Sequence, residues 1–277
     1  MMLDNTSRRG FITGAAALAG LHVSGSGLPA QQADDIKLGV ATYSFRKFSR
    51  AQMIDMMKPL RTPYVCIKEF HLRYNSTAEE LAAARKEFEA AGLTIYSGGV
   101  IYLEKPGEAR KMFEYAKLAG MPMVICGPTR ETVGEMEKMV KEFDIRAAIH
   151  NHGPEDKEFP TPQVALEAIR NMDPRVGLCV DIGHTARAGG DILDALRASG
   201  SRLFDVHIKD MLDTSRRPKE VPVGEGILPI VPIFKLLRQM KFRGSVMLEY
   251  EIDADNPLPG MKESFAYMRG VLAGLRG

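Results

Sequence analysis

From Asp34 onward, short apolar runs rich in β-branched residues alternate with longer segments whose apolar positions recur every three or four residues. The runs cover 36–42, 64–70, 93–97, 122–126, 146–150, 176–181, 203–207 and 245–250 and predict eight strands. The segments between them predict helices over 77–91, 107–119, 131–143, 161–172, 191–199, 230–240 and 257–275. In the first of these Leu81, Ala84, Phe88 and Ala91 share one stripe, Ser76 or Thr77 caps the start and Gly92 marks the stop. Most strand starts lie about 24–30 residues apart, the length of one strand–loop–helix–loop unit. Eight such units predict an α/β fold, a single (β/α)8 TIM barrel over 34–277. The runner-up is a doubly wound open sheet, disfavoured because no Gly-x-Gly-x-x-Gly follows the first strand. A longer step before the last strand leaves an extended loop over 210–229 with Pro218, Pro222, Gly224, Gly226 and Pro229, expected to be functional or mobile.

Composition narrows the function classes. The chain has 277 residues, 45% of them hydrophobic, and can bury a large core without disulfides or a structural metal. A formal charge of +2 argues against a nucleic-acid binder, which would carry a concentrated basic face, and the absence of tryptophan removes one common base-stacking platform. Cys66, Cys126 and Cys179 each sit in an apolar run and are read as buried, inert thiols. Methionines at helical spacing are read as core filler.

Ser7-Arg8-Arg9-Gly10-Phe11-Ile12, an apolar small-residue stretch and Leu28-Pro29-Ala30 follow the order of an export signal. Residues 1–30 are therefore expected to be a twin-arginine-type signal peptide, which implies an exported, periplasmic protein without stable membrane association after processing. The alternative, a short N-terminal anchor, is poorly served by an apolar run that is short and holds several glycines and a histidine.

Barrel active sites lie at the carboxyl ends of the strands, and the chemistry-bearing residues gather there. Strand two ends Lys68-Glu69-Phe70-His71, strand five His150-Asn151-His152-Gly153, strand six Asp181-Ile182-Gly183-His184, strand seven His207-Ile208-Lys209-Asp210 and strand eight Glu249-Tyr250-Glu251. Five of the six histidines fall on these ends. Imidazole and carboxylate together suit a borderline divalent ion such as Mn, Co, Zn, Ni or Fe. The expected ligands are His150, Asp181, His207 and Glu249, each the first strong donor at its strand end. Proton-transfer candidates are Glu249, Lys209, Lys68 and Glu69; Lys209 shares a face with His207, and burial beside positive charge is expected to lower its pKa. Alternation does not decide whether Lys68 or Glu69 faces inward. His184, His71 and His152 are the candidates for substrate contact.

The Asp181-Ile182-Gly183-His184 and His207-Ile208-Lys209-Asp210 motifs, the Pro222-Val223-Gly224-Glu225-Gly226 loop and Glu249 resemble the xylose isomerase-like TIM barrels, also called the sugar phosphate isomerase/epimerase superfamily. The resemblance spans roughly residues 35–275. It implies a divalent metal held by strand-end ligands, a small-molecule carbohydrate or polyol substrate, and proton movement beside a carbonyl. It implies that Asp181, His207 and Glu249 match metal ligands and that His184 contacts substrate oxygens. One departure matters: epimerases of the superfamily usually carry a glutamate at the end of strand five, where this chain has His150. A ligated imidazole does not shuttle protons readily, so a one-base isomerisation or β-elimination is easier to build than a two-carboxylate epimerisation. Export and the lack of a glycine-rich phosphate cradle point to unphosphorylated keto-sugars or polyols, or to a lyase acting on 3-keto-glycosides. A non-catalytic sugar-binding barrel and a metal-dependent endonuclease of the same barrel type are the rivals. Oligomerisation is left open.

Overall fold

The computed structural model describes residues 36–276. The N-terminal stretch carrying the expected export signal lies outside the described residues.

The chain closes a barrel. Strands β1 (Lys37–Ala41), β2 (Tyr64–Ile67), β3 (Thr94–Leu103), β4 (Met123–Pro128), β5 (Arg146–His150), β6 (Val176–Asp181) and β7 (Leu203–Ile208) are joined by β10 (Ser245–Leu248), which pairs with both β7 and β1. All eight pairings are parallel. The doubly wound alternative is therefore excluded by closure. Helices α1 (Arg50–Met57), α2 (Ala78–Ala90), α3 (Glu108–Ala119), α4 (Val133–Phe143), α5 (Pro162–Ile169), α6 (Ile182–Arg187), α7 (Ile192–Ser199), α8 (Ile230–Gln239) and α9 (Leu258–Gly274) follow the strands. Helix α2 starts as expected: Thr77 Oγ1 accepts from Glu80 N, and the Glu80 carboxylate accepts from Thr77 N, closing a capping box.

Between the barrel and the helices lies the main core, with Phe45, Phe88, Phe113, Phe159, Phe234 and Phe265 among its largest fully buried side chains. A second, smaller cluster fills the barrel itself and includes Cys66, Met123, Ile125, Ala148, Cys179 and Met247. Alternation then fixes the layer above it: two residues on from Cys66, Ala148, Cys179 and Met247 come Lys68, His150, Asp181 and Glu249. All three cysteines are buried and unpaired, and burial pushes the Cys126 and Cys179 thiols well up. Among the described residues no helix is long and apolar enough to cross a membrane.

The expectations and the structure differ in three places. Strand β3 continues through Gly98 and Gly99 to Leu103, with its pairing to β4 shifting register between Gly98 and Ile101. Helices α1 and α6 have no counterpart in the periodicity: α1 buries only Met53 and Met57 and so carries no apolar stripe, and α6 spans six residues. The 210–229 segment is not an open loop. It carries a small antiparallel hairpin, β8 (Asp210–Met211) with β9 (Glu220–Val221). Asp210 fastens it, with Oδ1 accepting from Met211 N and Leu228 N, and Oδ2 from Gly224 N and Gly226 N, at 2.9–3.1 Å. Gly226 passes so close to that carboxylate that a Cβ would collide with it.

Candidate metal centre and active site

Four side chains meet at the carboxyl end of the barrel, three from the ends of β5, β6 and β7 and one, Glu249, from the residue after β10. One donor atom each from His150, Asp181, His207 and Glu249 lies within 4.8 Å of the other three, and all four residues are buried. His150 Nε2 is 3.1 Å from His207 Nδ1 and 3.7 Å from Asp181 Oδ2, and His207 Nδ1 is 3.5 Å from Glu249 Oε2. Donors that share one ion at about 2.1 Å stand about 3–4.2 Å from each other, so the spacing suits a single cation. These are the four residues expected as ligands.

Asp181 divides its two oxygens. Oδ1 caps α6 by accepting from His184 N at 2.7 Å. Oδ2 is buried without a hydrogen-bond partner. Its charged neighbour is the Lys209 ammonium, 3.2 Å away, and a cation among these donors would satisfy the oxygen's remaining acceptor capacity. Asn151 fixes the strand end, accepting from Asp181 N and donating to Asp181 O and Thr185 Oγ1. The donor set thus fits a borderline divalent ion.

The two imidazoles are in opposite states. Burial keeps His150 well below the usual histidine range. Burial acts the same way on His207, but Cys179 and the Glu249 carboxylate outweigh it and hold His207 well above that range. The 3.1 Å contact is then His207 Nδ1–H donating to His150 Nε2, and a bound ion must displace that proton.

Lys209 corrects one expectation. Its Nζ lies 3.2 Å from Asp181 Oδ2 and 3.0 Å from Glu249 Oε2, and it also pairs with Glu251. Burial works against its charge, but Asp181, Glu249 and Glu251 overrule it and raise Lys209 well above the ordinary lysine value. The expected lowering does not occur, because the neighbours are carboxylates rather than cations. Lys209 is therefore a proton donor and not a ready base. Glu249 is its counterpart: burial would raise the carboxyl, yet Lys209 and His207 hold it well below the usual range. Lys209 can run beside α6 because Gly183 is there; a Cβ would sit 2.7 Å from Lys209 Cδ.

The other candidates separate clearly. Lys68 faces inward, with Nζ 5.5 Å from the Tyr43 ring centre and 3.5 Å from Val100 O, whereas Glu69 is exposed. His152 and His184 join the imidazole cluster, their rings 4.5 and 5.9 Å from that of His150. Tyr102 stacks on His152, and its hydroxyl lies 3.1 Å from His152 Nε2. Burial lowers His184 below the ordinary value, so it is neutral. Arg187 donates to His184 Nδ1 at 3.1 Å, which leaves Nε2–H as the donor. His71 contacts none of these residues; its Nε2 meets Phe48 O at 3.2 Å and its ring packs on Phe70, while burial lowers it to about 4. Tyr102, Arg187 and Glu220 were not foreseen. They sit on β3 beyond its expected end, on the unforeseen α6 and on the unforeseen hairpin. Burial raises Glu220 to about 7.

Comparison with known proteins agrees with the fold. Residues 66–271 match the family model described as xylose isomerase-like TIM barrel. An inosose dehydratase from Lactiplantibacillus plantarum is 28% identical over 155 residues, which cover 48% of this chain and 49% of that protein. The chain spans about half or less of the length of the first curated relatives it matches. A solved structure of an uncharacterised protein from Parabacteroides distasonis superposes with a TM-score of 0.68 at 26% identity, covering 86% of this chain and 99% of that one. A 3-keto-D-glucoside 4-epimerase from E. coli shares the fold, with a TM-score of 0.70 at 16% identity over 85% of this chain and 100% of that one.

Proposed function

The chain belongs to the xylose isomerase-like TIM barrel family, and on that premise we propose that it is a divalent-metal-dependent enzyme of the sugar isomerase/epimerase type. Its substrate is an unphosphorylated keto-sugar or polyol, and its key step is removal of a proton next to a carbonyl. The convergence of His150, Asp181, His207 and Glu249 on one point carries this reading. A bound ion supplies Lewis-acid polarisation of a substrate carbonyl or enolate oxygen.

The protein's own groups divide the remaining work. Glu249, itself one of the four donors, is held as an anion and accepts the α-proton. Lys209, charged in the resting site and 3.0 Å from Glu249, gives its proton to a developing oxyanion and is reprotonated by Glu249, which carries the abstracted proton. His184 donates Nε2–H to a substrate hydroxyl because Arg187 occupies its other nitrogen. Tyr102 stacked on His152 forms an apolar wall for a sugar face, and Lys68 stands at the end of β2 against Tyr43.

A second reading has its own support. His150 occupies the strand-five position, and the sequence relative from L. plantarum is a dehydratase. One base and one acid suffice for β-elimination, so a lyase acting on a 3-keto-glycoside or keto-polyol is the alternative. Incubation with ketoses and with 3-keto-glycosides in heavy water separates the two. Deuterium at the α-carbon of a retained sugar identifies the isomerase, and aglycone or water loss identifies the lyase. Failure of both, with and without added Mn2+, would refute proton abstraction altogether. Export through the Arg8-Arg9 motif is part of the proposal, and fractionation of cells carrying Arg8→Lys/Arg9→Lys tests it.

A further inference from the structure

Beneath the donor set, strand β7 holds a second buried polar group with no role in the proposed reaction. Asp205 precedes His207 by two residues, so both project into the barrel. Asp205 is fully buried. Its Oδ1 is doubly engaged, accepting from Ser245 Oγ at 2.6 Å and from Val206 N at 3.0 Å. Its Oδ2 has no partner. That orphaned oxygen lies 3.9 Å from His207 Nε2, which is also buried and also without a partner. The gap is about 1 Å longer than an N–H···O hydrogen bond, and closing it satisfies both groups together.

The opposite nitrogen, Nδ1, faces His150 Nε2 and Glu249 Oε2. An imidazole that is to ligate a cation through Nδ1 must carry its proton on Nε2 and must be held in one orientation. We propose that Asp205 is the positioning residue of the metal centre: its Oδ2 accepts Nε2–H of His207, fixing the tautomer and keeping the Nδ1 lone pair for the ion. The inference rests on the metal-dependent reading above.

The thiol of Cys179 is the rival partner, since its sulfur lies within 4.8 Å of donor nitrogens of both His150 and His207. Sulfur is a weak acceptor beside a carboxylate oxygen, and Asp205 Oδ2 and His207 Nε2 each have no other hydrogen-bond partner.

The structure makes an unusual prediction about the amide variant. Val206 N–H points at Oδ1, so in Asp205→Asn the amide oxygen stays there and the NH2 takes the place of Oδ2. A donor then faces His207 Nε2 and drives the imidazole proton onto Nδ1, where the ion should bind. Asp205→Asn should therefore harm metal binding more than Asp205→Ala, although it preserves shape better. A role confined to packing predicts the reverse order.

The test is Mn2+ titration of the full chain against a competing chelator, for wild type, Asp205→Asn, Asp205→Ala and Cys179→Ala, with circular dichroism checking each fold. The expected result is one ion per wild-type chain and affinities about ten- to a hundred-fold weaker in the Asp205 variants, with Asn the weaker of the two. Unchanged affinity in both, a milder effect for Asn than for Ala, or loss in Cys179→Ala alone would each overturn the assignment. A wild-type chain that binds no ion is a different result, and it removes the metal-dependent reading itself.

Discussion

Replacement of Lys209 by methionine tests the electrostatics of the site without altering any expected ligand. Lys209 is buried, and it neutralises two buried carboxylates, Asp181 at 3.2 Å and Glu249 at 3.0 Å. Its pairing with Glu251 counts for less, because that side chain is a third exposed and solvent screens it. Methionine keeps most of the volume but leaves the two carboxylates with His207 as their remaining buried counter-charge. Breaking a buried pair by removing one partner costs about 3–5 kcal/mol, and the lower end, about 3 kcal/mol, suits a site with one partly exposed member. With a urea slope of about 3 kcal/mol per molar for a chain this size, the midpoint should fall by about 1 M in EDTA. The sign with pH follows from the raised pKa. The lysine contribution is fully present below the unfolded lysine pKa and is lost only as pH rises through the higher folded value. At pH 8 the full deficit should therefore appear. Added Mn2+ should close most of it, since an ion among the same oxygens replaces the missing charge, and the metal-induced shift should be larger in Lys209→Met than in wild type. Urea denaturation followed by circular dichroism, with EDTA and with Mn2+, measures all four midpoints. Equal midpoints for variant and wild type in EDTA would refute the reasoning.

Three other expectations can be checked in parallel. Lys68→Ala should lower turnover roughly a hundred-fold while Glu69→Ala stays within about two-fold, because only Lys68 projects into the barrel; equal effects in steady-state assays would contradict that orientation. Metal affinity should rise with pH until His207 loses its proton, because its raised pKa favours the ion-free, protonated form at lower pH. Calorimetry in buffers of different ionisation enthalpy should detect about one proton released per ion, and none released would count against a protonated His207. Asp210→Ala strands the backbone N–H groups of Met211, Gly224, Gly226 and Leu228, costing about 3 kcal/mol or more. Hydrogen exchange at Gly224 and Gly226 should accelerate, and unchanged protection there would show that the carboxylate does not fasten the hairpin.

The barrel was legible in the sequence because its signals are repetitive. Eight β-branched runs at near-constant spacing leave few alternatives, and β5 and β6 occupy the expected residues. The donor set was legible for a related reason: strands end in register at one rim, so the last polar residue of each run falls beside its neighbours. What the pattern could not show depends on tertiary context. Helix α6 has no apolar stripe and begins on Asp181, whose side chain caps it. The hairpin β8–β9 is two residues a side and is organised by one carboxylate rather than by hydrophobic alternation. The choice between Lys68 and Glu69 needed Cys66 placed inside the barrel, which fixes parity. The charge state of Lys209 needed its neighbours: proximity to His207 along one strand suggested a cation beside a cation, whereas Asp181, Glu249 and Glu251 come from other strands and the loop after β10.

The account stands on one cation gripped by four side chains. Crystals grown with Mn2+ and measured at the manganese absorption edge should show a single anomalous peak among His150, Asp181, His207 and Glu249, lost in Glu249→Ala. No peak there, or one bounded by other residues, would contradict it.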